Sequence, residues 1–203
     1  MSLNHTSKWI RPFCMTVAML SIAMLAIGLA VRADEYDKKT VVTFSAPAEI
    51  PGKALPAGTY VFKLLDSSSN RNIVQVWDKD EQHLLGTMLA VPDYRMQPSD
   101  KPIIQFEERP VGSPMAIKAW YYPGDNYGQM FVYPHKRAAE LAKANNQNVL
   151  SMSDSMSKNM ATQSSTASDQ SIQQLQHTDV TGVNPTGDPV ALVVIVAEKP
   201  AEK

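Results

Sequence analysis

The stretch from Trp120 to Gly128, WYYPGDNYG, sets Trp120, Tyr121, Tyr122 and Tyr127 beside Asp125 and Asn126. Aromatic faces next to a carboxylate and an amide suit a sugar ring, which has an apolar face and hydroxyl edges. Side chains alternate along a strand, which predicts Trp120 and Tyr122 on the face opposite Ala119 and Tyr121, with at least one of these pairs near solvent and Tyr127 in a turn. Tyr94 and Arg95, in the long turn PDYRMQPSDKP, join this surface if the fold brings them close. The candidate ligand-binding residues are therefore Trp120, Tyr122, Asp125, Asn126, Tyr127, Tyr94 and Arg95. The plainer alternative is that the same aromatics pack a core or cover a sheet face.

The acidic and imidazole groups offer less. DKDEQH, Asp78 to His83, gathers three carboxylates and an imidazole, but it lacks the glycine and ligand spacing of a calcium loop, so it reads as a solvated hairpin turn. Glu107 and Glu108, followed by Arg109, are adjacent on a strand and point to opposite faces, which suits them poorly as a cooperating pair. Acid catalysis would need a further partner such as Asp93 or Asp125. His83 and His135 stand singly, with no nucleophile motif such as GxSxG; His5 lies in the N-terminal segment and His177 in the polar tail. No catalytic residue, metal ligand or cofactor is assigned.

The elements that would position these groups centre on residues 55–91. Tyr60, Phe62 and Leu64 share one face of a strand, and Val74 and Val76 share a face of the next, opposite Ile73, Gln75 and Trp77. DSSSNRN and Asp78 to Gln82 are the turns, and HLLGTMLAV is the third strand. VVTFS precedes them with Val42 and Phe44 on one face, and APAEIPGKALPAG, with three prolines, reads as an edge crossing or loop. IIQFEER, with Ile104 and Phe106 inward, AIKAWYY and QMFVY follow. Short strands separated by turns predict an all-β fold, a small antiparallel β-sandwich or barrel of about seven strands. HKRAAELAKANN then forms one short helix, whose thin stripe of Ala138, Leu141 and Ala142 predicts a place on the sheet's rim.

The 203 residues allow one ordinary domain with appendages, or two small domains. Residues 1–33 carry Lys8, Arg11 and Arg32 and no acid; taking these three from 19 basic residues leaves 16 against 20 acidic, and no basic stripe for nucleic acid. The basic flank, the uncharged run Phe13 to Val31 and the small residues before Asp34 have the layout of a signal peptide, with an uncleaved membrane anchor as the alternative. Cys14 lies inside that run, so a cleaved chain has no thiol and no disulfide. From Asn146 to Asp188 the chain is polar and free of aromatics, which predicts disorder. Met152, Met156 and Met160 recur within it as a chance stripe or a docking face. Val190 to Ala197 is apolar and is expected to complete the sheet, or else to pair with a partner's sheet. The organisation is thus 1–33 signal peptide, 34–133 β-domain, 134–145 helix, 146–188 disordered segment and 189–203 terminal strand and tail.

The string VVTFSAPAEIPGKALPAGTYVFKLLDSSSNRNIVQVWDKD, continuing through LAVPDYR, FEERP and IKAWYYPGDNYGQMFVYP, resembles a family of uncharacterised exported bacterial proteins over Lys39 to Asn145. The resemblance implies export and a single β-domain followed by a helix, and it transfers no activity and no site residues. The combined expectation is an extracytoplasmic, periplasmic or secreted, non-enzymatic module that binds a glycan or an envelope protein, without nucleic acid, and with a membrane association only through an uncleaved N-terminus. A hydrolase using Asp or Glu, and an assembly protein pairing through its C-terminal strand, are the alternatives.

Overall fold

A computed structural model describes residues 38–65, 73–107, 113–156, 172, 174–175 and 177–192. The signal-like segment, the DSSSNRN turn, Glu108, Arg109, Met160 and the C-terminal run beyond Leu192 lie outside the described residues.

The strands are β1 (Lys39–Phe44), β2 (Ala48–Ile50), β3 (Lys53–Leu55), β4 (Gly58–Leu64), β5 (Ile73–Asp78), β6 (Leu84–Tyr94), β7 (Ile103–Phe106), β8 (Met115–Tyr121) and β9 (Tyr127–Phe131). They form one nine-stranded sheet in the order β1-β4-β5-β6-β9-β8-β2-β3, with β7 also on β8. The protein is mainly β, as its alternating sequence requires, but the seven-stranded antiparallel expectation is corrected in two ways. The proline-rich stretch read as a loop is a hairpin, β2 with β3, turning at Gly52, whose φ is 83°. β2 also runs parallel to β8 through Ala48 with Met115 and Glu49 with Ala116, so the sheet is mixed. Three-residue strands flanked by prolines are too short to display a period, which is why they were invisible in the sequence.

β6 organises the sheet. Its first half pairs with β5, from Leu84 to Leu89, and its second with β9, from Ala90 to Tyr94. It therefore runs through Pro92, Asp93 and Tyr94, where a long turn was expected. Alternation along it serves two cores: Met88 and Ala90 face one, Leu89 and Val91 the other. β5 divides in the same way, with Val74 and Val76 on the first core and Ile73 on the second. Strands buried on both faces read as nearly unbroken apolar runs, as NIVQVW and LAV do.

The first core lies where the sheet folds over itself. Phe62 on β4 meets Trp120 on β8 at 6.1 Å between ring centroids, Phe44 on β1 meets Phe106 on β7 at 6.1 Å, and Trp120 donates its indole N–H to Thr40 Oγ1 at 3.2 Å. Val42, Phe44, Tyr60, Phe62, Leu64, Ile104 and Phe106 all face this core, as alternation predicts.

A second sheet follows, with β10 (Tyr133–Pro134), β11 (Val149–Met152), β12 (Thr181–Val183) and β13 (Pro189–Val190) in sequence order. The helix α1 (His135–Asn145) separates β10 from β11, and those two strands are parallel. Asn146 ends the helix in the left-handed conformation, and the Lys136 N–H at its start donates to Asp154 Oδ1 at 3.1 Å. α1 is not a rim element, because Ala138, Leu141 and Ala142 are buried in the first core. Alanines let it approach closely, and Arg137 locks it to β2 with Nε and Nη2 each 2.6 Å from the Glu49 carboxylate.

Two strands, β11 and β12, fall inside the stretch expected to be disordered. Leu150, Met152 and Leu175 are buried with Ile73, Leu89 and Val132 in the second core, and Met156, Val180, Val190 and Leu192 pack against it. Met152 and Met156 of the methionine stripe are thus packing residues, and the terminal apolar run begins as an edge of the small sheet.

Candidate functional site

The hairpin between β8 and β9 sets the register of the site. Tyr121 pairs with Gly128 and Trp120 with Gln129 across these strands, while β6 contributes Tyr94 opposite Tyr127 and Pro92 opposite Gln129. Tyr94 and Tyr127 are therefore cross-strand neighbours on one face, with ring centroids 5.4 Å apart and planes at 68°. They are 52% and 62% exposed, and Met96 beyond them is 72% exposed. Asn126 Nδ2 donates to the Tyr94 hydroxyl at 3.2 Å, and the Arg95 N–H donates to the Asn126 carbonyl at 2.7 Å, which fastens the hairpin to the end of β6.

The fold thus unites Tyr94, Asn126 and Tyr127 at an exposed end of the large sheet. It disperses the other candidates. Trp120 is 2% exposed inside the first core, and Tyr121 is 1% exposed, so of the two alternating pairs only Tyr122 retains part of its ring at the surface. The reason is that β8 lies between β7 and β9 with both faces covered. Tyr122 is half-buried, with its ring 6.5 Å from Trp120 and Lys38 Nζ 5.9 Å from its centroid. Asp125 is ion-paired to Lys38. Arg95 lies on the opposite face, its guanidinium 5.0 Å over the Tyr121 ring.

Beneath Arg95 is a buried polar contact that sequence reasoning did not assemble. The Tyr121 hydroxyl donates to Asp93 Oδ2, and Asp93 is itself buried. The Tyr121 ring covers Gly128, where an added Cβ would come within 2.4 Å of it. Gln129 was also missed; its side-chain Oε1 is buried without a hydrogen-bond partner. The signal that finds both is register: once the turn between Tyr122 and Tyr127 is accepted, alternation assigns Gln129 to the Tyr127 face and Gly128 to the Tyr121 face.

The groups considered for acid chemistry are each engaged elsewhere. Asp93 receives Tyr121, Asp125 pairs with Lys38, and Glu107, which is buried, accepts from Asn145 Nδ2 at 2.8 Å with Lys118 Nζ at 4.0 Å. In the β5–β6 turn, Asp78 lies 2.6 Å from His83 Nδ1 and accepts the Gln82 N–H at 2.7 Å, while Glu81 pairs with Lys39 and Lys63. These partners hold both carboxyls below the ordinary carboxylate range, the His83 hydrogen bond chiefly for Asp78 and the Lys39 hydrogen bond chiefly for Glu81. His135 Nδ1 is 3.2 Å from the buried Ser151 hydroxyl on β11. Among the described residues no group of three or more His, Cys, Asp or Glu side chains could hold a metal ion.

Compared with protein-family models, with curated proteins and with solved structures, the chain has no match in any of the three.

Proposed function

We propose that this protein is an exported, non-enzymatic binding module that takes a glycan on the Tyr94–Tyr127 end of its large sheet. The observation that carries the reading is the pair of adjoining, more than half-exposed tyrosine rings, fixed by Asn126. The two rings offer an apolar stacking surface ringed by hydroxyl and amide groups, the chemistry a sugar requires. Export is supported by the signal-like N-terminus and by the resemblance to exported bacterial proteins. For the architecture, the contacts joining β1 and β7 through Phe44 and Phe106 support a half-open barrel of which this site is one end.

The test is glycan-array binding by the purified protein and by a Tyr94→Ala, Tyr127→Ala double variant. Both residues are more than half exposed, so the variant should fold, with a thermal midpoint only a few degrees below the parent's from the lost ring contact and Asn126 hydrogen bond. Saturable binding that disappears in the variant is the expected result. Binding to no glycan sinks the reading and directs attention to envelope-protein partners. Trp120 is unsuitable as a probe, because truncating a buried tryptophan costs about 3–5 kcal/mol of fold stability.

A further inference from the structure

We infer that the tyrosine end receives one neutral sugar ring end-on, with Gln129 as the inner residue that reads its hydroxyls; this rests on the glycan-binding reading above. Gln129 is two residues along β9 from Tyr127 and so lies on the same face, flanked by its cross-strand partners Pro92 and Trp120. The distance between alternate residues of a strand, about 7 Å, is close to the span of a single pyranose ring. A sugar stacked at the tyrosines therefore extends its far hydroxyls to the Gln129 amide, whose terminal torsion is soft enough to turn toward them.

Gln129 also supplies the independent observation. Its Oε1 is shielded from solvent and accepts no hydrogen bond, a condition that costs stability and that a methionine of similar length would relieve. A sugar hydroxyl supplies the missing donor. The ligand's form follows from the ring geometry. Planes at 68° present one ring face and one ring edge, and such a pair cannot lie flat beneath a straight, crystalline polysaccharide chain. It forms instead the floor and wall of a corner for one residue at a chain end. Beside this corner Lys38 and Asp125 offset each other's charge, which suits an uncharged sugar.

The experiment compares soluble probes (cellobiose, chitobiose, lactose, maltose and the array's best ligand) with insoluble cellulose and chitin, for the parent protein and Gln129→Met. The expected result is binding to at least one soluble sugar, at least tenfold weaker in Gln129→Met, whose thermal midpoint is equal to or above the parent's. In the parent protein the Gln129 side-chain amide resonance should shift on titration with that sugar, a readout that needs no variant. Unchanged affinity in Gln129→Met with a stationary amide resonance overturns the role of Gln129 while glycan binding stands. Preferential retention on insoluble cellulose or chitin overturns end-on capture alone. Failure of every soluble and insoluble probe overturns this inference together with the glycan reading.

Discussion

Gly128 shows how much one absent side chain decides. The Tyr121 ring lies where any Cβ at that position would sit, and from there its hydroxyl reaches the buried Asp93 carboxylate. Gly128→Ala should therefore displace the ring and destabilise the fold by about 1–3 kcal/mol, the usual cost of overpacking, measurable as a lower urea midpoint. Tyr121→Phe keeps the packing but removes a donor from a buried carboxylate, and should cost about 1–3 kcal/mol in the same assay. Glu81 carries the pH prediction at this scale. Its folded pKa lies below the ordinary 4.5, as that of Asp78 lies below 3.8, so their contribution is complete above those values and is lost as pH falls through the lower, folded ones. Thermal stability should be level from neutral pH down to about pH 5 and then decline, with a shallower decline in Glu81→Gln and in high salt. An equally steep acid decline in Glu81→Gln would show that its pairing with Lys39 and Lys63 adds nothing.

Among elements, α1 is oriented by an ion pair to β2. Its buried face is two alanines and a leucine, which bring little area, and the Arg137–Glu49 fork supplies orientation that apolar packing lacks. Glu49 has only 12% of its side chain exposed, and Arg137, whose pKa these hydrogen bonds raise, is charged at every accessible pH. Arg137→Lys keeps the charge and loses the fork, and it should cost about 1–2 kcal/mol; Arg137→Ala should cost about 2–4 kcal/mol because the largely buried Glu49 carboxylate loses its two-pronged cationic partner. Chemical denaturation of both variants with Glu49→Gln, as a double-mutant cycle, isolates the coupling. The helix itself was readable from its alanine-rich composition and from Pro134. Its membership of the core was not, since a stripe of Ala138, Leu141 and Ala142 says which face is buried but not against what. The long strands were legible for the converse reason: alternation at Tyr60, Phe62 and Leu64 names the inner face directly.

At the scale of the molecule, the described residues of the polar C-terminal stretch, Leu150, Met152 and Leu175 among them, belong to the fold. Leu150, Met152 and Leu175 close the outer face of β5 and β6, which would otherwise expose Ile73 and Leu89. Ending the chain after Met156 removes β12 and β13, and should lower the thermal midpoint by several degrees and raise binding of a hydrophobic dye. An unchanged midpoint would show that β12 and β13 contribute nothing to stability. Composition argued for disorder here because polar residues dominate the average. A handful of apolar residues at the right register suffices when a prepared surface is waiting for them, and no average over forty or so residues reveals that surface.

What the sequence alone determined was local: a β-rich fold, the inner faces of its long strands, the helix, and Asn126 and Tyr127 as neighbours in one candidate stretch, with Tyr94 joining it only on condition of the fold. These follow from period, turn residues and propensity, which act over a few residues. Only the tertiary structure decided that β2 pairs in parallel with β8, that Trp120 and Tyr121 are buried, that Tyr94 and Tyr127 touch, and that Gln129 lies inward of them with an unmet acceptor. Those outcomes depend on which strands become neighbours and which faces are covered. Both are set by long-range pairing, which leaves no mark in the spacing of residues along the chain.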